Sequence, residues 1–146
     1  MISETIKKQI IDAMKAKDEL RVSTLKLLSS ALHYEIIKKQ ADLTSQEEIE
    51  IVRKEAKKRK DAIDIYDKAK EKDRAEKEKK ELLILQEYLP KEVSDEELEK
   101  IVIETISEVG AKEIKEMGKV IGVVMGKVKG RAEGGKVAEL VKSKLT

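Results

Sequence analysis

The sequence predicts an all-α protein, on three observations. Every strong apolar pattern repeats with the 3.6-residue period of a helix, and none alternates as a half-buried strand would. Charged residues make up 42% of the 146 residues and Lys and Glu dominate, which suits helix surfaces. The chain holds one proline, and all seven glycines lie at or beyond Gly110, so nothing breaks helices across most of its length.

Ile2, Ile6, Ile10, Ala13 and Met14 form one face of a first short helix, for which Ser3 is a plausible N-cap. Asp18 is expected to cap a second helix with the stripe Val22, Leu25, Leu28, Leu32 and Ile36. Leu27, Ala31 and Tyr34 widen that stripe enough to touch two neighbours. His33 lies beside it with no acid or serine at helical spacing, and reads as a packed or surface side chain. The third helix begins at LTSQEE, where Thr44 with Glu47, or Ser45 with Glu48, makes a capping box. From Arg53 to Glu81, 22 of 29 residues are charged with alternating sign, the pattern of a solvated helical face. Lys57, Lys58, Arg59 and Lys60 are four consecutive bases within it, splayed over most of a turn. The apolar pattern lapses near Glu71 to Arg74, marking a turn before a fourth helix that ends LLILQEYL.

Pro90 closes that helix and divides the chain into an N-terminal helical domain, 1–90, and a three-helix C-terminal domain, 91–146. Ser94 with Glu97 starts a fifth helix carrying Leu98, Ile101, Val102, Thr105 and Val109, and Gly110 suits its left-handed C-cap.

The tail is the most informative stretch. Gly118, Gly122, Gly126, Gly130 and Gly134 recur every fourth residue, leaving a narrow strip free of side chains. Ile114, Met117, Ile121, Val124, Met125 and Val128 predict one helix from Glu113 to about Val128, despite a cost of roughly 1 kcal/mol per glycine. Two reasons could justify that cost: tight helix packing inside the domain, or close approach of a partner's backbone. KGRAEGGK then reads as an exposed basic loop, and Val137, Leu140, Val141 and Leu145 restore a helix. Gly130, Gly135 and Lys136 satisfy GxxxxGK. Val137 stands where a phosphate-binding loop needs a hydroxyl, however, and a helix rather than a strand precedes it, so nucleotide binding is not expected.

Composition bounds the function. With no Phe or Trp and three Tyr, a base-stacking surface is nearly absent. With no Cys and one His, neither a thiol nucleophile nor a zinc site is expected. No catalytic residues, metal or cofactor are predicted. The chain has no signal peptide and no apolar run of bilayer length, so a cytoplasmic location away from membranes is expected. Its net charge is +2, but residues 91–109 carry 2 bases and 7 acids while residues 110–146 carry 9 and 4. The basic excess is concentrated in the tail.

KEAKKRKDAI, the junction ILQEYLPKEVSDEELEKIV and the tail GAKEIKEMGKVIGVVMGKVKGRAEGGKVAELVKSKL resemble the YqeY proteins of the GatB/YqeY family over nearly the whole chain. In that family the tail is similar to the C-terminal helical domain of the B subunit of the glutamine-dependent tRNA amidotransferase, which contacts tRNA. The resemblance implies an RNA- or partner-binding region at Met117, Gly118, Lys119, Gly122, Lys127, Lys129, Gly130, Arg131, Gly134 and Lys136. It implies tRNA or another structured RNA as partner, with a tRNA-dependent enzyme as a further one, and gives no reason to expect DNA. Carbon-nitrogen ligase activity with glutamine as amide donor is a family association, with no activated nucleophile or acid-base pair here to support it. The favoured reading is a non-catalytic RNA-binding accessory protein. A protein-interaction module using the glycine strip is the alternative.

Pro90 is expected to act as a hinge, because Lys91 to Ser94 supply only Val93 to fasten the turn. Separate rotational correlation times for the two parts, with NMR relaxation dispersion between Glu87 and Leu98, are the expected result; one shared time and silent dispersion would dismiss the hinge.

Overall fold

The computed structural model describes residues 1–146 and is helical throughout, with no strand. Its helices are α1 (Ile2–Lys15), α2 (Glu19–Lys39), α3 (Ser45–Lys68), α4 (Lys72–Gln86), α5 (Asp95–Val109), α6 (Met117–Val128) and α7 (Gly134–Leu145), with a 3-10 turn at Ile114–Glu116 before α6. No helix is long and apolar enough to cross a membrane. The chain divides into two compact units, Met1–Leu89 and Pro90–Thr146.

In the first unit, α3 and α4 form the most extensive pairing, and α1 and α2 pair similarly. Its core is aliphatic: Ile6, Leu25, Leu28, Leu32, Leu43, Val52, Ala56 and Leu85. Local signals set the helix ends. The Asp18 carboxylate accepts from the Arg21 N–H at 3.1 Å, and α2 ends at Gln40 in the left-handed region (φ 59°).

Of the two capping boxes offered by LTSQEE, the chain uses Thr44 with Glu47. The Glu47 N–H donates to Thr44 Oγ1 at 3.1 Å, and the Thr44 N–H donates back to Glu47 at 3.2 Å. Lys39 adds an ion pair at 2.7 Å, and its hydrogen bond leads the interactions that lower the Glu47 pKa. Glu48 is thereby released to turn inward. It is only 1% exposed and accepts from the Ser3 N–H at 2.6 Å, so it supplies negative charge to the first turn of α1. Ser3 therefore sits inside that turn rather than capping it.

The charge run across α3 and α4 is not wholly a solvated face. Arg59 points between the two helices, where its Nη1 lies 3.1 Å from Glu78 and 2.5 Å from Glu81. Glu81 is only 5% exposed, and its Oε2 lacks a directed hydrogen bond, so its contact with Arg59 is ionic. Burial pushes the Glu81 pKa up against the opposing pull of Arg59, and the neighbouring Glu78 charge adds to the rise. Arg59 is thus withdrawn from the four-base run, while Lys57, Lys58 and Lys60 remain exposed.

The second unit encloses a core rich in valine: Val93, Leu98, Val102, Ala111, Val120, Val124, Val128, Ala132, Val137, Val141 and Leu145. Ser94 accepts from the Glu97 N–H at 3.1 Å to start α5, and Gly110 ends it at φ 73°. Val93 is buried in this core, and its N–H donates to the Arg131 carbonyl at 2.9 Å. The junction is therefore fastened to the second unit from Lys91 onward.

Because the folded-state pKa of Glu81 is raised, its protonated form favours the fold, and that contribution is lost as pH rises through the folded value. Glu81→Gln removes the dependence. Urea denaturation should show wild type losing stability relative to this variant from about pH 4 toward neutrality. Arg59→Met leaves two carboxylates facing each other and should cost about 3 kcal/mol at neutral pH.

Candidate nucleic-acid or partner interface of the C-terminal unit

The predicted helix from Glu113 is divided at Met117. Glu116 reaches back to accept the N–H groups of Lys112 at 2.6 Å and Glu113 at 3.0 Å, which tightens residues 114–116 into a 3-10 turn and lowers the Glu116 pKa. The α-helix proper then runs from Met117 to Val128. It buries Val120, Val124 and Val128 at helical spacing, with Met117, Ile121 and Met125 packed beside them.

Gly118, Gly122 and Gly126 consequently face away from the core. All three are exposed, and a Cβ built on any of them would meet nothing within 4 Å. Tight packing inside the domain does not account for this strip, since no neighbouring helix lies against it. Gly134 lies apart, at the start of α7, where its Cβ position is 3.9 Å from Met125 Cε. Gly130 is buried and adopts φ 80°, so this glycine serves the turn between α6 and α7.

Six of the nine basic residues of the tail fall into two groups, apart from Lys112, Lys115 and Lys142. Lys127 turns toward α5, donating to Thr105 Oγ1 at 2.9 Å and pairing with Glu108 at 2.7 Å. The Arg131 Nε donates to the Lys91 carbonyl at 3.1 Å, and Glu97 lies 3.9 Å from its guanidinium. Lys136 pairs with Asp95, whose hydrogen bond leads the interactions that raise the lysine pKa. Lys144 pairs with Glu99 at 2.6 Å, one turn farther along α5. KGRAEGGK is therefore not a free basic loop: Arg131 ties it to the junction and Lys136 ties it to α5.

Lys119 and Lys129 form the second group. Both are exposed and neither makes an ion pair; Lys129 is the left-handed C-cap of α6 (φ 48°, ψ 49°). No Asp or Glu occurs between Glu116 and Glu133. The outward side of α6 thus combines bare backbone with unpaired positive charge, flanked by exposed Ile114 and Val123. Of the ten predicted site residues, Gly118, Lys119, Gly122 and Lys129 belong to this exposed side. Met117 contributes to the core edge, Gly130 and Gly134 to the turn and helix start, and Lys127, Arg131 and Lys136 to internal ties.

Sequence reasoning missed the carboxylates that hold those ties. Asp95 and Glu99, at i and i+4, lie on one line of α5, and Lys136 and Lys144, at i and i+8, lie on one line of α7. Matching of the two lines was the available signal.

A sequence model of the Yqey-like protein family matches residues 3–145. The chain belongs to the YqeY family. It is also similar to an uncharacterized protein of Schizosaccharomyces pombe, with 32% identity over 94 residues, which cover 64% of this chain and 76% of that protein.

The open positions of the three glycines lead to a direct expectation. Gly118→Ala, Gly122→Ala and Gly126→Ala should each raise stability by about 0.5–1 kcal/mol in thermal or urea unfolding, because helix propensity improves and no neighbour is displaced. A loss of stability at these positions would show that the strip is packed within the fold.

Proposed function

We propose that this YqeY-family chain is a non-catalytic accessory protein that binds tRNA or another structured RNA through the outward side of α6. The observation that carries the reading is the coincidence of exposed glycine backbone with Lys119 and Lys129, in a stretch free of carboxylates. A sugar-phosphate backbone needs close approach and unpaired cations, and this side of the helix offers both. The resemblance of the tail to the tRNA-contacting domain of the amidotransferase B subunit supports the same class of ligand.

The interface is a small one in electrostatic terms. Residues 91–146 carry eleven bases and eleven acids, so attraction rests on where the unpaired lysines stand rather than on net charge. A second reading, a protein-binding surface, is favoured by exposed Ile114 and Val123 beside the strip.

Lysine variants separate the two. Affinity for tRNA should fall with added salt, and Lys119→Ala with Lys129→Ala should flatten the slope of log K against log salt by about 2. Lys127→Ala, whose lysine is held by Glu108, should change the slope less. Gly122→Leu should abolish binding under either reading. Binding that ignores salt and both lysine substitutions, yet is lost in Gly122→Leu, would replace the RNA reading with the protein one.

A further inference from the structure

Of the four cations that face α5, Lys127 alone belongs to α6. Lys119, Val123 and Lys127 follow one another at four-residue intervals, so they form one ridge between the exposed glycines and the buried line of Val120, Val124 and Val128. The two lysines stand roughly 12 Å apart along the helix axis. Yet the ammonium group of Lys127 is turned off this ridge, to Thr105 Oγ1 at 2.9 Å and to Glu108 at 2.7 Å.

The hold on Lys127 is weak, and its release strands no polar group. The side chains of Lys127 and Glu108 are 34% and 60% exposed, so water screens their attraction and hydrates the carboxylate once the lysine has gone. Thr105 is fully buried, but its hydroxyl donates to the Ile101 carbonyl at 2.7 Å and keeps that bond with or without the lysine. The flexible four-carbon stem of Lys127 has somewhere to go, because Val123, 37% exposed, offers it an apolar surface on the outward side. The other three cations differ. Arg131 and Lys136 tie the turn before α7 to the junction and to α5, and Lys144 stands at the far end of α7, where turning outward brings no charge to α6.

We propose that Glu108 is an autoinhibitory latch on the RNA-binding side of α6, holding Lys127 inward until an RNA phosphate takes the lysine from it. This rests on the RNA reading above and adds its regulation. Lys127 has two satisfied positions, and Glu108 sets the balance between them. With the latch closed the outward side carries Lys119 and Lys129; with it open, Lys127 is a third cation on the same side. A single anion cannot bridge lysines this far apart, whereas a sugar-phosphate backbone repeats its charge at every nucleotide and supplies each with a partner. The latch thus favours a continuous polyanion over small anions.

Titration of an end-labelled tRNA transcript with the full chain, followed by fluorescence anisotropy at several salt concentrations, tests the latch. Glu108→Gln and Glu108→Ala should each tighten binding about threefold to fivefold at low salt and steepen the slope of log K against log salt by up to about 1. Glu104→Gln removes the same charge one turn earlier in α5 but frees no lysine, since Glu104 is exposed and makes no ion pair, and it should tighten binding far less. Adding Lys127→Ala to Glu108→Gln should return affinity and slope to those of Lys127→Ala alone, the non-additivity of a residue that acts through another. Both Glu108 variants should keep the wild-type helical circular dichroism, because this side chain lies outside the core. No gain in the Glu108 variants, an equal gain from Glu104→Gln, or a gain that survives Lys127→Ala would overturn the latch and leave the RNA reading in place. Absence of salt-dependent binding in wild type and in both Glu108 variants would overturn the two together.

Discussion

The acidic side of α5 decides what the basic tail can do. Asp95, Glu97, Glu99 and Glu108 meet Lys136, Arg131, Lys144 and Lys127 respectively, so the segment richest in acid is the internal counter-charge of the segment richest in base. Each pair is largely solvent-exposed, so screening by water leaves it individually weak. Their collective effect is geometric. They hold α7 and the turn before it against α5, the Arg131 carbonyl anchors Val93, and α6 is left with its valine line inward and its glycines outward.

An aliphatic core imposes a second requirement. Without Phe or Trp, each helix of the C-terminal unit contributes small, stiff side chains, and the interior is filled largely by valine. Such a core needs many contributors, which is why the junction residue Val93 and the turn residue Ala132 are recruited into it. A segment that looks like a linker by composition becomes structural because the core is short of large groups.

The helices, the caps at Asp18, Thr44 and Ser94 and the left-handed end of α5 were legible, because a capping box or a glycine C-cap is a local device spanning three or four residues. The line of Gly118, Gly122 and Gly126 was legible for the same reason, although its direction was not. Whether a strip faces inward depends on which neighbouring valines the core selects, and Val120, Val124 and Val128 proved to be the inward line rather than the partner of the glycines. The basic loop was misjudged because its partners, Lys91 for Arg131 and Asp95 for Lys136, lie about 40 residues away in sequence, beyond any local pattern. Arg59 and Glu81 were hidden for the opposite reason. A run with 22 charges in 29 residues contains no contrast from which to single out the two that turn inward.

The distribution of aromatic residues has an optical consequence. Tyr34, Tyr66 and Tyr88 all lie in the first compact unit, and there is no tryptophan anywhere. Near-ultraviolet absorbance and intrinsic fluorescence therefore register only residues 1–89, while the valine-filled second unit is silent in both. An unfolding curve followed by tyrosine emission describes the first unit alone, and its agreement with a backbone signal becomes a direct measure of whether the two units melt together.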